Sequence, residues 1–332
     1  MRWGFCCLVA ITVAPGCGDS PTSPTPPPPA LGLTCPANVT VGSTDGQPVV
    51  VTYPPPTPIG GTAPVTVTCT PASGTLFPLG ETTVTCTAFD VRQQTAQCAF
   101  VVRVQAALQR TRIVAFGDSI TWGENGVPPA TPAWRPLVRV DRPYPSLLEE
   151  ALDRQYPFQA DDIAVPNEGV PGEVTANGLK RLPGVLASRQ AQVVLLLEGA
   201  NDLNAAGEAG ISAAADNLGA MVAVASRLGV KAYLATLTPQ NPEGSRGKNA
   251  HLVPKLNEAI VRTAAVRGAV LVDLFAAFGG DFSLLSPDGL HPNEAGFQRM
   301  ADTFFEAIRT TLEVKPDAPL SGPAGLPLGY QR

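Results

Sequence analysis

The sequence has little basic charge, almost no histidine and no cysteine beyond its first third. Its 332 residues include 23 Lys and Arg against 28 Asp and Glu, a net charge of −5. No strongly basic surface is therefore predicted, and nucleic acid is excluded as a partner. The only histidines are His251 and His291, and the last cysteine is Cys98. A His/Cys metal cluster in the C-terminal part is excluded, and no metal or organic cofactor is predicted.

Two common catalytic motifs are also missing. No G-x-x-x-x-G-K-[ST] occurs, which excludes a phosphate-cradling loop of that type. No serine lies in a G-x-S-x-G setting, so the nucleophile elbow of the α/β-hydrolases is absent.

Proline, by contrast, is abundant, with 35 residues concentrated in the N-terminal third and the last twenty positions. Residues 1–17, "MRWGFCCLVAITVAPGC", combine one arginine, a short apolar run and small residues, which predicts an export signal. "APGC" resembles a bacterial lipoprotein box, which implies lipidation of Cys17; the alternative is an ordinary cleaved signal. Residues 18–32 form a Pro-rich linker. We expect an exported protein of the bacterial cell envelope, lipid-anchored or secreted, whose only membrane contact is that anchor.

Residues 33–106 alternate in the manner of short β-strands separated by Pro/Gly turns. The strand candidates are 49–53, 65–69, 82–86 and 99–104, a spacing that favours a small all-β sandwich. Four cysteines, an even number in an exported protein, predict two disulfides among Cys35, Cys69, Cys86 and Cys98. A Cys86–Cys98 bridge across a hairpin is one option, and three pairings remain open.

The blocks "CPANVTV", "GTLFPLGETTVTCTAFD" and "QCAFVVRV" resemble the hyalin repeat (HYR), an immunoglobulin-like module. The resemblance implies adhesion or spacing rather than catalysis. The module is interpreted either as a stalk or as a contact for a glycan or cell surface.

Residues 110–313 alternate between apolar strand-like runs and helical patterns, which predicts an α/β domain with about five parallel strands. The strand candidates are 112–116, 162–166, 192–198, 231–237 and 269–275; helices are expected within 143–155, 177–190, 208–228, 251–267 and 293–313. Ligands of such folds bind at the carboxyl ends of the strands. Ser119 follows the end of the first strand.

Four polar motifs occur where these strands end or where the last helix begins. "GDS" supplies Ser119 as a candidate nucleophile, and "DGLH" supplies Asp288 and His291, three residues apart, as an orienting acid and a base. "GAND" offers the Asn201 amide, and "VPGEVT" the backbone N–H of Gly172, as oxyanion donors. Each motif alone is explained equally well by a turn or a helix start, but together they supply every group needed for acyl transfer.

The same blocks, in the same order, resemble the SGNH hydrolase (GDSL esterase/lipase) superfamily. The resemblance implies a flavodoxin-like three-layer sandwich, with Ser119, His291 and Asp288 as the catalytic triad. It implies an oxyanion hole made by Ser119, Gly172 and Asn201. Asp118 is assigned to bracing the turn beside Ser119 rather than to the triad, and Asp202 is assigned to support of the site.

The predicted function is therefore that of an exported serine esterase acting on a small-molecule or polysaccharide ester. An exported enzyme behind a proline-rich spacer and an adhesion-type module favours short acyl groups, such as acetyl, on a carbohydrate. The alternatives are a lysophospholipase-like acyl hydrolase and a non-catalytic glycan-binding surface lipoprotein. Residues 314–332, rich in Pro and Gly, are predicted to be a disordered tail.

Overall fold

The computed structural model of the chain describes residues 29–126 and 139–315. The predicted export signal, the lipidation site Cys17 and nearly all of the linker 18–32 lie outside the described residues. The tail lies outside them as well, from residue 316 onward.

The first part of the chain is all-β. Four strands form one sheet in the order β2-β8-β7-β5, and two two-stranded ribbons, β1-β4 and β3-β6, accompany it. The strands are β1 (Gly32–Thr34), β2 (Val39–Ser43), β3 (Val49–Val51), β4 (Thr57–Ile59), β5 (Thr66–Thr70), β6 (Thr75–Phe77), β7 (Gly80–Phe89) and β8 (Thr95–Ala106). Alternate side chains of β7 and β8 are buried, as expected for a sheet with one face on a core.

The core of this β domain is small and is reinforced by two disulfides. Tyr53 and Phe100 pack edge to face within it, with ring centroids 4.9 Å apart. The disulfides join Cys35 to Cys98 and Cys69 to Cys86.

The suggested Cys86–Cys98 bridge is therefore wrong, although two disulfides form as predicted. Cys86 lies opposite Cys69 on one neighbouring strand and opposite Cys98 on the other. Its sulfur can bond to only one of them; it bonds Cys69, and Cys98 bonds Cys35 instead.

The second part of the chain is the predicted α/β domain. All five strands are parallel, in the order β10-β9-β11-β12-β13, which is the flavodoxin-like order. The strands are β9 (Ile113–Gly117), β10 (Asn167–Gly169), β11 (Val193–Leu197), β12 (Lys231–Ala235) and β13 (Val270–Val272). β9 and β11 are completely buried, as their continuous apolar sequences predict.

Helices cover both faces of this sheet. α2 packs against α8, whereas α5 packs against both α3 and α6. The helices are α1 (Ser119–Trp122), α2 (Tyr144–Gln155), α3 (Thr175–Ser188), α4 (Ala200–Ala206), α5 (Gly210–Arg227), α6 (Val253–Arg267), α7 (Leu274–Phe278) and α8 (Glu294–Leu312). The run Ala200–Arg227 has the length and mean hydropathy of a membrane span, but Leu218, Met221 and Val222 are buried in the domain core, as in the core helix of a soluble domain.

Two predicted strands differ from the structure. The strand expected at 162–166 is β10, Asn167–Gly169; the residues before it follow β9 only through scattered hydrogen bonds, such as that from Ile113 N to Ala164 O. Pro166 has no N–H with which to continue a ladder. The strand expected at 269–275 ends at Val272, because the Asp273 side chain caps α7 by accepting from Ala276 N.

The segment between β8 and β9 is hydrogen-bonded on both sides. Ala107 N donates to Ser43 O in the β domain, while Gln109 N donates to Leu312 O at the end of α8. The segment that joins the two parts of the chain is thus hydrogen-bonded to each of them.

Candidate active site

The site begins where β9 ends. Asp118 is the N-cap of the short helix α1, and its Oδ1 accepts the N–H of Ile120 at 2.9 Å. This places Ser119 as the first helical residue at the carboxyl edge of the sheet, with only 3% of its surface exposed. Asp118 thus contacts the backbone at the start of α1, and the bracing role assigned to it stays a prediction.

Ser119, His291 and Asp288 form a continuous hydrogen-bonded chain. Ser119 Oγ lies 2.8 Å from His291 Nε2, and His291 Nδ1 lies 2.6 Å from Asp288 Oδ2. The imidazole is completely buried, and Asp288 is 1% exposed. Residues 172 positions apart in sequence are thus in direct contact, and His291 lies between Ser119 and Asp288.

The loop that carries Asp288 and His291 is held rigidly before α8. Asp288 Oδ1 accepts the N–H groups of Leu290 and His291, both at 3.0 Å. Asn293 caps α8 by accepting from Gly296 N, as its position in the sequence suggested. Burial alone would raise the pKa of Asp288, but the bond and charge of His291, together with the two N–H groups, lower it below its usual value. Asp288 is therefore held as a carboxylate facing the imidazole.

Asn201 approaches the site from the other side of Ser119. It lies in α4 rather than in a simple turn, and its Nδ2 donates to Glu173 O at 3.0 Å. The second N–H of the amide faces Asp118 Oδ2 at the longer distance of 3.4 Å. A hydrogen bond of that length is weak, so an oxyanion could replace Asp118 as its acceptor.

Gly172 lies in the loop between β10 and α3. Its φ of 78° is in the left-handed region, and a Cβ built on it would meet nothing within 4 Å. The backbone is therefore approachable from that side. The adjacent Glu173 provides the carbonyl that binds Asn201, so Gly172 and Asn201 belong to one hydrogen-bonded unit.

Asp202 fixes the end of the same loop. Its carboxylate accepts both the backbone N–H of Thr175, at 3.0 Å, and the Thr175 hydroxyl, at 2.6 Å. Because Thr175 is the first residue of α3, this pair anchors the loop that carries Gly172 to α4. The predicted supporting role of Asp202 thus has a specific structural basis.

Two charged residues near His291 were missed by the sequence reasoning. Glu124 is 2% exposed, and its Oε2 lies 3.3 Å from His291 Nε2. Arg246 lies near both acids of this side, 3.8 Å from Glu124 and 3.9 Å from Asp288. An imidazolium formed during the reaction would thus face carboxylates at both nitrogens. Glu124 follows Ser119 by only five positions, but nothing in the spacing distinguishes it from a loop residue.

A second missed cluster lies behind Asn201. Glu173 is clamped by Arg181, with Nε to Oε1 at 3.1 Å and Nη2 to Oε2 at 2.5 Å. The Arg181 guanidinium also lies 4.0 Å above the ring of Phe116. Glu198, the residue directly after β11, is 1% exposed. A carboxyl group at the end of a fully apolar strand was a visible signal in the sequence.

Burial also alters the acid beside the nucleophile. Burial raises the pKa of Asp118 to about 6; the Ile120 N–H and the nearby His291 oppose this rise, and Asp202 and Glu173 add to it. Asp118 therefore changes charge near pH 6, whereas Asp288 loses its proton at a lower pH. The pKa of Asp118 is thus raised, whereas the pKa of Asp288 is lowered.

The arrangement can perform nucleophilic acyl transfer. It contains a hydroxyl bonded to an imidazole, an acid bonded to that imidazole, and an amide and a glycine on the opposite side of the hydroxyl. Within residues 29–126 and 139–315, no group of three or more His, Cys, Asp or Glu side chains is arranged to hold a metal ion.

Comparison with known proteins agrees with this geometry. Residues 115–299 match the model of the GDSL-like lipase/acylhydrolase family, and this range contains every site residue described above. The chain belongs to the GDSL-like lipase/acylhydrolase family. Residues 25–104 match the HYR domain, which confirms the resemblance drawn from the β-rich segment. We refer to the two parts below as the GDSL domain and the HYR domain.

Individual relatives are esterases. The chain is 26% identical to esterase TesA of Pseudomonas aeruginosa over 164 residues, which are 48% of this chain and 77% of the relative. It is 31% identical to an arylesterase of Vibrio mimicus over 91 residues, 27% of this chain and 38% of that one. A lipase/acylhydrolase of Enterococcus faecalis superimposes with a TM-score of 0.47 at 26% identity, covering 61% of this chain and 97% of the other. The family match, together with the related esterase and arylesterase sequences, makes the protein a carboxylic ester hydrolase of the GDSL type.

Proposed function

We propose that the GDSL domain hydrolyses esters through Ser119 as nucleophile, His291 as general base and Asp288 as the acid that orients and stabilises the imidazole. The observation that supports this most directly is the pair of short contacts, 2.8 Å and 2.6 Å, that link the three side chains. They match the roles and the order of a serine hydrolase triad.

The cycle begins when His291 Nε2 takes the Ser119 proton as Oγ attacks the ester carbonyl carbon. The tetrahedral intermediate collapses, His291 returns the proton to the leaving alcohol, and the acyl group stays on Ser119. Water, deprotonated by the same nitrogen, then attacks the acyl carbonyl carbon. The second tetrahedral intermediate collapses, the bond to Ser119 Oγ breaks, His291 returns the proton to Oγ, and the acid is released. Asp288 remains ionised throughout and accepts from Nδ1.

The oxyanion is stabilised by the N–H groups of Ser119 and Gly172 and by the Asn201 amide. When the oxyanion forms, the Asn201 N–H that faces Asp118 donates to the oxyanion instead, while the bond to Glu173 O holds the amide plane in place. Each such donor typically lowers the barrier by about 3 to 4 kcal/mol.

The substrate we propose is a short acyl ester, such as an acetyl group, on a carbohydrate. The support is the modular order of the chain, in which a predicted export signal, a Pro-rich spacer and an HYR domain precede the enzyme. Such an arrangement suits work on a polymer outside the cell. We further propose that the protein resides in the cell envelope, held by a lipid on Cys17, and that the HYR domain spaces or docks the enzyme.

The triad is tested by covalent labelling. A fluorophosphonate probe reacts with an activated serine, so the wild type should be labelled and Ser119→Ala should not. Ser188→Ala, an exposed serine at the end of α3, is the matched control and should label like the wild type. Equal labelling of Ser119→Ala and the wild type would refute the assignment of the nucleophile.

The substrate class is tested separately with an ester panel. Acetylated xylan, acetylated pectin, acetylated peptidoglycan and a lysophospholipid are compared for release of acetate or fatty acid. We expect acetate release from at least one polysaccharide, abolished in Ser119→Ala. Release of fatty acid alone would replace the carbohydrate proposal with the lipid alternative and leave the triad assignment standing.

A further inference from the structure

Glu198 has an unusual environment for a carboxyl group. It directly follows β11, two residues before the start of the helix α4 that carries Asn201, and its side chain is buried against Gly178 of α3. A Cβ on Gly178 would lie 2.4 Å from both Glu198 oxygens, so only glycine at that position leaves room for the carboxyl group. Neither oxygen accepts a hydrogen bond from any described donor.

A buried carboxylate without donors is strongly unfavourable, so Glu198 is expected to carry its proton. A protonated carboxyl group becomes a donor itself and needs an acceptor. The acceptor that it meets is the side chain of Glu173, which Arg181 binds from the other side. The charged and titratable groups around Glu198 are Glu173, Asp118 and Arg181.

We propose that neutral Glu198 donates a hydrogen bond to Glu173 and is a positioning residue for the oxyanion donor Asn201. The connection is short: the Glu173 side chain is held by Glu198 and Arg181, and the carbonyl of Glu173 binds Asn201 Nδ2 at 3.0 Å. Glu173 also directly follows Gly172. The proton on Glu198 therefore helps to hold the segment 172–173 in place. That segment contains the proposed donor Gly172 and orients the proposed donor Asn201.

The electrostatics agree with this geometry. Burial, the bond to Glu173 and the charges of Glu173 and Asp118 raise the pKa of Glu198 well above its usual value, with Arg181 opposing the rise. Since the folded protein holds this proton above the usual range of a carboxyl group, the stabilisation it gives is complete below that range and is lost as the pH rises above it. Glu198→Gln, which is neutral at every pH and retains a donor, does not lose it.

The first test is the pH dependence of stability, and it needs no substrate. We expect the Tm of Glu198→Gln relative to wild type to rise by about 4 °C or more between about pH 5 and about pH 9. Asp118 is present in both proteins, so its own titration largely cancels. Glu258→Gln, an exposed glutamate of α6, is the control and should show no such change. A Tm difference that does not depend on pH would overturn the proposal.

The second test is infrared spectroscopy near neutral pH. The carbonyl stretch of a protonated carboxylic acid should be present in the wild type and lost in Glu198→Gln. An identical acid band in both proteins would show that Glu198 is ionised and would overturn the proposal.

The third test concerns catalysis and rests on the proposed function. Glu198→Ala should lower kcat by about tenfold with KM little changed, and Glu198→Gln should restore most of it. Equal losses in both variants would assign Glu198 a packing role instead. If wild type hydrolyses no ester, the proposed function fails, while the Tm and infrared results still decide whether Glu198 is the proton donor.

Discussion

The two sides of Ser119 are built in different ways. On the histidine side, Asp288 and His291 come from one four-residue stretch and meet at 2.6 Å, and His291 contacts Ser119 at 2.8 Å. On the amide side, Asn201 depends on Glu173 and Asp118, from two other segments, through contacts of 3.0 and 3.4 Å. On the histidine side, the bond between Asp288 and His291 is short, charge-assisted and formed between residues close in sequence. On the amide side, the contacts are longer and join residues that are distant in sequence.

This difference indicates where the site is pre-formed. The histidine side already has the geometry it needs to take a proton. The amide side is braced through carbonyls and buried acids, and it completes its geometry when the oxyanion forms. Substitutions on the histidine side should therefore abolish most of kcat. Substitutions on the amide side should lower kcat by smaller factors, and the factor should decrease with distance from Asn201.

Asp288→Ala should have the largest effect. Removing the acid leaves His291 without its partner at Nδ1, and kcat should fall by about ten-thousand-fold. The measurement is kcat on a short chromogenic ester, with the exposed Asp302→Ala on α8 as control. A loss of less than about tenfold would mean that Asp288 is not the triad acid.

Asn201→Ala should have the next largest effect, a fall in kcat of about 100- to 1,000-fold with KM changed much less. The amide acts in the transition state, so the loss should appear in the chemical step. Asn204→Ala, one turn away on α4 and exposed, should behave like the wild type. A rise in KM with kcat intact would contradict the oxyanion assignment.

Asp202→Ala removes the two bonds that anchor Thr175 and should lower kcat by roughly tenfold, since a hydrogen bond to a charged group contributes about 1.5 to 3 kcal/mol. Labelling of Ser119 by the fluorophosphonate probe should persist, because the histidine side is untouched. The exposed Asp216→Ala on α5 is the control. Complete loss of labelling would indicate that the two sides are not separable.

Asp118→Asn should have the smallest effect on activity, within about tenfold, because the amide oxygen can still accept from Ile120 N. Its effect should depend on pH. Burial raises the pKa of Asp118 to about 6. The protonated side chain therefore stabilises the fold fully at pH values below the ordinary pKa of an aspartate, and this contribution is lost as the pH rises through 6. The variant should gain stability relative to wild type between about pH 4 and about pH 8, measured by thermal unfolding. A larger loss of activity than in Asp288→Ala would reverse the roles of the two aspartates.

The same contrast explains what the sequence could reveal. The parallel five-stranded sheet, the longer helices and the D-x-x-H loop depend on local periodicity and spacing, and the structure contains all of them. The strand β10 and the end of the strand β13 were misplaced, because Pro166 precedes the first and Asp273 caps a helix directly after the second. Glu198 and Gly178 come together only through folding, and neither residue alone indicates the other.

The disulfide between Cys35 and Cys98 has a mechanical consequence. Tension applied to the chain ahead of the HYR domain would enter at Cys35, cross the disulfide to Cys98 and continue along β8 to Ala106. The two cysteines are 63 positions apart in the sequence, and the stretch between them lies off that path. The HYR domain can therefore bear a pulling force as a covalent link, and a load at its N-terminal side would reach the enzyme through β8 without unravelling the intervening strands.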